Sequence, residues 1–294
     1  MKLGIVPNIS KSNIVIVVLE LIKKLTENNI SYLISNQLLN LDDSSITKID
    51  KSVFADNKKL YADSDIIVSI GGDGTMLTTA YEARDYATPL AGVNFGKLGF
   101  LAEFEISNID GLINDIKTKN YIIEDRMVLE AKLKGNGDDL LYAINDIVID
   151  KGRWPKMIEL TIKIDNDYVS KFSADGVIIA TPTGSTGYSL SANGPIVTPN
   201  SDVITINPIS PHTLTMRPLI IPSDQKIEIS INSPDSKAQI NCDGQRVNLF
   251  DQPVTLEVYK SENPVKLIHS KSTSYFEILR KKLFWGIDSR KPSN

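Results

Sequence analysis

At 294 residues, 41% apolar and 23% charged, the chain has the balance of an ordinary globular protein, long enough for about two domains and a full core without metals or disulfides. A net charge of −4 with no long run of Lys or Arg argues against a nucleic-acid partner. One cysteine, Cys242, and two histidines, His212 and His269, exclude a disulfide framework and leave too few ligands for a zinc site of the Cys and His type.

The chain begins with an apolar segment, Leu3-Gly4-Ile5-Val6, and has no basic stretch leading to an apolar block and a cleavage site. The apolar run from Ile14 to Leu19 falls far short of the roughly 20 residues that a membrane span needs. With a cysteine count that fits a reducing compartment, the expectation is a soluble, cytoplasmic protein without a membrane partner. Residues 2–6 predict a short strand, turned by Pro7-Asn8. Residues 13–28 have helical period, with Ile16, Leu19, Ile22 and Leu25 three apart. Residues 65–70 predict a buried strand that Gly71-Gly72 breaks, and 75–84 a second helix. A strand at 89–93, a loop spaced by Gly96 and Gly99, and a helix at 109–117 follow. This alternation predicts a Rossmann-like parallel sheet covered by helices.

After about Tyr121 the pattern changes to strands, at 128–133, 140–150, 158–164, 176–180, 203–206, 227–231, 238–242 and 254–259. Turns at Gly135-Asn136-Gly137, Asp165-Asn166-Asp167 and Ser233-Pro234-Asp235 separate some of them. Residues 275–283 predict an amphipathic helix with Phe276, Leu279 and Leu283 on one stripe. The expected division is an α/β domain over 1–120, completed by a C-terminal helix that returns to it within 271–294, and a β-rich domain over 121–270.

Three features carry chemistry. Gly71-Gly72-Asp73-Gly74-Thr75 lies between an apolar strand and a helix. Glycines allow a tight turn and close approach of a ligand, amides at a helix start can face anionic oxygens, and a carboxylate there can take a hydroxyl proton or hold a metal. A Walker A loop would need a closing Gly-Lys-Ser/Thr, and a dinucleotide fingerprint a third glycine where Leu77 stands. The plainer alternative is a strand-to-helix turn with a capping Asp. Next, Ser173-Ala174-Asp175-Gly176 leads through a strand to Thr181-Pro182-Thr183-Gly184-Ser185-Thr186-Gly187-Tyr188-Ser189-Leu190-Ser191. So many small donors and acceptors suit a ligand, and equally a plain polar loop. Third, Asn145-Asp146 sits inside the predicted strand 140–150, where such residues are disfavoured; a ligand, a β-bulge or an exposed edge would each account for them. Of the rest, Cys242 is expected to be a small buried hydrophobe, His212 a hydrogen-bonded structural residue, His269 solvated, and Trp154 and Trp285 packing anchors.

Together these features resemble the NAD kinase family. The Gly-Gly-Asp-Gly-Thr motif is shared with lipid kinases of the diacylglycerol type and resembles one in phosphofructokinases. Asn145-Asp146 and the stretch from Asp175 to Pro195 narrow the likeness. So do Asn94-Phe95-Gly96-Lys97-Leu98-Gly99-Phe100-Leu101, the stretch from Pro208 to Pro218, Asp243-Gly244-Gln245, and the C-terminal Tyr275-Phe276 with Lys282-Leu283-Phe284-Trp285-Gly286. The resemblance implies an enzyme that moves a phosphoryl group from ATP, another triphosphate or polyphosphate to the adenosine-ribose 2′-hydroxyl of NAD. It implies Asp73 as general base and dinucleotide contacts from Asp73, Gly74, Asn145, Asp146, Asp175, Thr186, Gly187, Tyr188, Ser189, Leu190, Ser191 and Gln245, with Lys156 and Ser173 at two further contact positions. The chain departs from the commonest family pattern at Gly187, where alanine is usual, at Lys156 (histidine), Ser173 (arginine) and Asn193 (glycine). It implies a Mg²⁺ or Mn²⁺ ion that arrives with the donor, and a homodimer or homotetramer working in NADP biosynthesis. A lipid kinase with the same glycine motif and a non-catalytic dinucleotide-sensing module are the rival readings.

Overall fold

The computed structural model describes residues 1–286 except 97, 135–139, 154 and 234–236. The expected turns at Gly135-Asn136-Gly137 and Pro234-Asp235, Lys97 of the glycine loop and the Trp154 anchor lie outside the described residues. The elements run β1 (Lys2–Pro7), α1 (Ile14–Glu27), β2 (Ser31–Ser35), β3 (Phe54–Ala55), α2 (Asn57–Asp63), β4 (Ile66–Gly71), α3 (Asp73–Glu82), β5 (Leu90–Asn94), β6 (Phe104–Glu105), α4 (Ile109–Thr118) and β7 (Tyr121–Arg126). Then come β8 (Leu129–Leu133), β9 (Leu141–Ala143), β10 (Asp146–Asp150), β11 (Ile158–Ile164), β12 (Asp167–Ala174), β13 (Gly176–Ala180) and α5 (Tyr188–Ser191). The chain continues through β14 (Val203–Ile209), β15 (Leu219–Pro222), β16 (Ile227–Asn232), β17 (Lys237–Cys242), β18 (Arg246–Asp251), β19 (Val254–Lys260), β20 (Val265–Ser270) and α6 (Tyr275–Leu283). Two units result: Met1–Asp125 with the chain from Lys266 onward, and Arg126–Val265.

The first unit is built on an eight-stranded sheet in the order β3-β2-β1-β4-β5-β20-β7, with β6 beside β5. β1 runs parallel to β2 and β4, and β5 runs parallel to β4, β6 and β20. β4 is buried along its whole length, as an apolar run covered on both faces must be. Ile14, Val18, Leu21 and Leu25 of α1 pack into this core, each worth about 1.5–3 kcal/mol in transfer free energy. The predicted stripe through Ile16 is wrong: Ile16 is 66% exposed, and Leu19 and Ile22 are only partly buried. Strict three-residue steps drift around a helix of 3.6 residues per turn, and Ile16 lies about 200° round from Ile14. α6 is corrected in the same way. Its buried residues are Ile278 and Leu279, while Phe276 and Trp285 are more than half exposed, so Trp285 is no packing anchor. Phe276 sits about 200° round from Ile278. His269, expected in solvent, is buried on β20, its Nδ1 2.9 Å from Glu103 Oε2 and its Nε2 3.1 Å from Glu124 Oε2. Two acidic residues far away in sequence make that burial affordable, and no local pattern announces them.

The second unit is a pair of six-stranded sheets, ordered β15-β14-β13-β10-β17-β18 and β12-β11-β16-β19-β8-β9. Their facing side chains share one core, with Ile147 and Ile149 from the first sheet and Leu160 and Ile162 from the second. β11 alternates buried and half-buried residues, as a sheet with one face on the core requires. Cys242 is buried in this core, where desolvation pushes its thiol up to about 12. The strand predicted over 140–150 is two strands: β9 ends at Ala143 in one sheet and β10 starts at Asp146 in the other. Asn145 is therefore at a crossover between sheets and not inside a strand. The sequence predicts no element at β2, β3, β6, β7, β12, β15, β18 or β20, nor at α2 or α5. Among the described residues no helix is long and apolar enough to cross a membrane.

Candidate active site

Asp73 is the first helical residue of α3, directly after the carboxyl end of β4. No glycine of the Gly71–Gly74 turn has a positive φ. The helix start is instead organised by Thr75, whose hydroxyl accepts the Gly72 N–H at 3.4 Å and the Asn8 side-chain amide at 2.9 Å. The Asp73 carboxylate is encircled by donors. Oδ1 accepts the amides of Leu101 and Ala102, both at 3.0 Å. Oδ2 accepts the Phe100 amide at 2.9 Å and the Lys282 ammonium at 2.8 Å. The loop can come this close because residue 99 is glycine: a Cβ there would lie 2.0 Å from Asp73 Oδ1. Burial pushes the Asp73 carboxyl up, but the Lys282 ammonium and the amides of Ala102 and Leu101 together hold it below the usual carboxylate range. Lys282 reaches across from α6 and also lies 5.0 Å from the centre of the Phe100 ring. Sequence reasoning quoted Lys282 within a motif and gave it no role; its position over Asp73 depends on the return of the chain to the first unit.

The second unit gathers Asn145, Asp146, Gly187 and the turn after β17. The Asn145 carbonyl accepts the Thr181 N–H at 2.9 Å, and Gly184 packs on it so closely that a Cβ would lie 2.0 Å from the oxygen. A Cβ at Gly187 would lie 3.8 Å from Asn145 Nδ2 and 3.9 Å from Asp146 Oδ2, so both side chains reach the same small space. Asp146 is buried, and desolvation followed by the nearby Asp243 carboxylate pushes its carboxyl up to about 7. Asp243 takes the backbone amides of Ile144, Asn145 and Asp146.

The hydroxyl-rich stretch folds as a 3₁₀ turn over Thr183–Thr186 followed by α5. Several of its hydroxyls are engaged within the fold. Ser185 Oγ donates to the Pro182 carbonyl at 2.6 Å and accepts the Val197 N–H at 3.0 Å. Ser189 Oγ accepts the Asn207 side-chain amide at 2.8 Å. Thr183 Oγ1 and Asn207 Oδ1 are buried without a hydrogen-bond partner among the described residues. Tyr188 and Ser191 are exposed, and Thr186, Gly187 and Leu190 are half-buried. Asp175 pairs with Lys151 at 2.6 Å. Lys156, Ser173 and Gln245 are exposed, as is Gly74 in the first unit. Among the described residues no hydrogen bond ties the Lys156 or Ser173 side chain to the Asn145 group. His212 is exposed and meets Ser173 only through its backbone, its N–H donating to the Ser173 carbonyl at 2.9 Å; the expected structural role for its imidazole is corrected. A cavity of about 300 Å³ in the first unit, lined by Glu103, Asp115, Ser270 and Glu277, holds none of the contact residues that the resemblance implies, although Leu98 of the quoted 94–101 motif is part of its wall.

The first unit thus presents an ionised carboxylate at the start of a helix that follows a parallel strand, and the second unit is a β-sandwich. Residues 3–121 match the family model of the ATP-NAD kinase N-terminal domain and residues 144–270 that of the ATP-NAD kinase C-terminal domain. The chain belongs to the NAD kinase family, and is thus an enzyme, a phosphotransferase with an alcohol group as acceptor. It is 37% identical to the NAD kinase of Chloroherpeton thalassium over 97% of this chain and 98% of that protein. With the NAD kinase of Prosthecochloris aestuarii it shares 40% identity over 97% of this chain and 98% of that protein. Among solved structures it resembles a yeast NADH kinase complexed with NADH, at TM-score 0.87 and 24% identity, covering 100% of this chain and 90% of the other. It also resembles an NAD kinase from Archaeoglobus fulgidus in complex with ATP, at TM-score 0.73 and 24% identity, covering 97% and 98%. These two likenesses bear on the fold.

Proposed function

We propose that this kinase transfers a phosphoryl group from ATP to the 2′-hydroxyl of the adenosine ribose of NAD, giving NADP, with Asp73 accepting the hydroxyl proton. In the step the bond from the ribose oxygen to the γ-phosphorus forms as the bond to the β-bridging oxygen breaks, ADP leaves, and the proton passes to a carboxylate oxygen of Asp73. The observation that carries the reading is the ionised Asp73 carboxylate at the head of α3, in a chain of this family. A carboxylate held low is unprotonated throughout the neutral range. Three amides and the Lys282 ammonium occupy its acceptor sites, so the ribose hydroxyl takes the place of one of these donors, the Lys282 side chain in this reading, before its proton is passed. The carboxylate's weak basicity means the proton moves late, once the new oxygen–phosphorus bond has made the hydroxyl acidic. Asn145, Asp146, Asp175, Gln245 and the segment Thr186 to Ser191 bind the dinucleotide in this reading, with Gly74 against it and Lys156 and Ser173 as outer contacts. The named complexes of the two structural relatives, with NADH and with ATP, point the same way.

Mg²⁺ or Mn²⁺ enters as part of the donor. Both Asp73 oxygens are already taken by three amides and an ammonium, a donor set that does not suit a resident cation. Among the described residues no group of three or more His, Cys, Asp or Glu side chains could hold one. Family resemblance also supports a cytoplasmic homodimer or homotetramer serving NADP biosynthesis. The test is a coupled assay for NADP with NAD and ATP, other triphosphates or polyphosphate, run with a chelator and then with Mg²⁺ or Mn²⁺ added back. NADP formed only with cation present is the expected result. Phosphorylation of a diacylglycerol in place of NAD, or NAD binding without turnover, would overturn the reading.

A further inference from the structure

At the crossover from β9 to β10 the chain leaves one sheet for the other, so the amides of residues 144–146 need partners outside a regular ladder. One side chain supplies them. Asp243 Oδ1 accepts the N–H of Ile144 at 2.9 Å, of Asn145 at 2.7 Å and of Asp146 at 3.3 Å. Oδ2 accepts Ile144 again at 3.2 Å and Arg246 Nη2 at 2.7 Å. The same Arg246 nitrogen donates to the Tyr142 carbonyl at 3.0 Å, and the Asp243 N–H donates to the Asp146 carbonyl at 2.9 Å. The Asp243 side chain is fully buried.

Asp243 and Gly244 stand in the left-handed region, at φ 55° and 67°, in the turn that joins β17 to β18. An Asp-Gly pair suits that conformation, and the turn aims the carboxylate back under the crossover. A carboxylate is needed, because only an acceptor with two oxygens and no proton can take three amides and a guanidinium. With its N–H on Asp243 and its C=O on Thr181, the backbone of Asn145 is fixed on both sides, which leaves its side chain as the polar group available outward. We propose that Asp243 is a positioning residue for the dinucleotide: its buried carboxylate, closed by Arg246, fixes the crossover so that the Asn145 and Asp146 side chains stand ready oriented for the ligand. This rests on the reading in which those two residues bind NAD.

Among the described residues the titratable groups recorded against Asp146 are Asp243 and Cys242, in the turn after β17 and at the end of that strand, and Arg246 stands behind them on Asp243. Asp243→Asn keeps the shape but removes one acceptor and the like charge beside Asp146. The expected result is an NAD KM raised about tenfold, with kcat and the ATP KM within about twofold, and a pH dependence of the NAD KM displaced to lower pH, because Asp146 then ionises more easily. A purely structural residue would lower the apparent kcat with the folded fraction and leave both KM values and the pH dependence in place. Should Asp243→Asn fail to fold, Arg246→Gln decides, since it retains the carboxylate and leaves Oδ2 with the Ile144 amide alone; its NAD KM should rise about threefold. An NAD KM and pH dependence equal to wild type in the folded variant overturns the proposal. Wild-type protein that makes no NADP would instead sink the functional reading, so the two failures are distinguishable.

Discussion

Asp73 and Asp146 are carboxylates in different units with opposite surroundings. Asp73 has four donors, one of them an ammonium, and is held below the usual range. Asp146 is buried beside another carboxylate and pushed up to about 7. The same residue type is thus a fixed anion in one place and a group shared between acid and carboxylate near neutrality in the other. Residue identity alone does not assign acid–base roles; the donors and charges around each group do.

The largest effect that could break this contrast comes from Asp73→Asn, which should lower kcat by about 10²–10⁴ with little change in NAD KM. Near wild-type turnover would show that Asp73 only anchors the loop around Gly99. Next come Asn145→Ala and Asp146→Ala, which should raise the NAD KM, with a loss on the order of 1–3 kcal/mol in kcat/KM and a much smaller change in the ATP KM. Steady-state kinetics on both substrates measures it. A collapse of kcat at constant NAD KM would move the chemistry to Asp146. Because the Asp146 carboxyl loses its proton near 7, NAD affinity should rise as pH passes that value if ribose hydroxyls donate to its ionised form; calorimetry between pH 6 and 8 tests the sign.

A fourth substitution probes the ammonium beside Asp73. Lys282 favours the ionised carboxylate, so in Lys282→Met burial prevails and Asp73 keeps its proton to higher pH. The acid limb of kcat/KM should then move upward, with about tenfold lost per unit of displacement at low pH, while Lys282→Arg retains the wild-type profile. A limb that does not move would mean the ion pair is idle in the working enzyme. The smallest effect is expected at Gly187. Its φ is −95° and an added Cβ would meet the Gly184 carbonyl at 3.3 Å, a contact that a slight shift relieves. Gly187→Ala should stay within about twofold in every kinetic constant, and a large loss would mean that the dinucleotide approaches this backbone more closely than a methyl group permits.

What was legible in sequence was the local and periodic part. Alternating strands and helices, then strands alone, gave the fold class, and Gly71 to Thr75 was correctly set between β4 and α3. Long-range partners were not legible. The apolar run around Asn145 reads as one strand, because the acceptor that allows the chain to break there is Asp243, 98 positions away. His269 looked solvated because Glu103 and Glu124 are remote in sequence. Lys282 meets Asp73 across 209 positions, so the lowered carboxyl could not be foreseen from the glycine motif.

The strand order of the first sheet has a consequence for how the chain is made. β20 lies between β5 and β7, so β7 has no neighbour on that side until residues 265–270 have been synthesised. The whole of Arg126–Val265 is translated in between, which at roughly 5–20 residues per second takes about 7–28 s. The sandwich can therefore fold on the ribosome while the first sheet is still open at the Leu90 end of β5, which pairs with Leu267 of β20, whereas Val93 and Asn94 already have β6 beside them. A nascent chain stalled before residue 265 should present that open edge to chaperones, and one released after β20 should not.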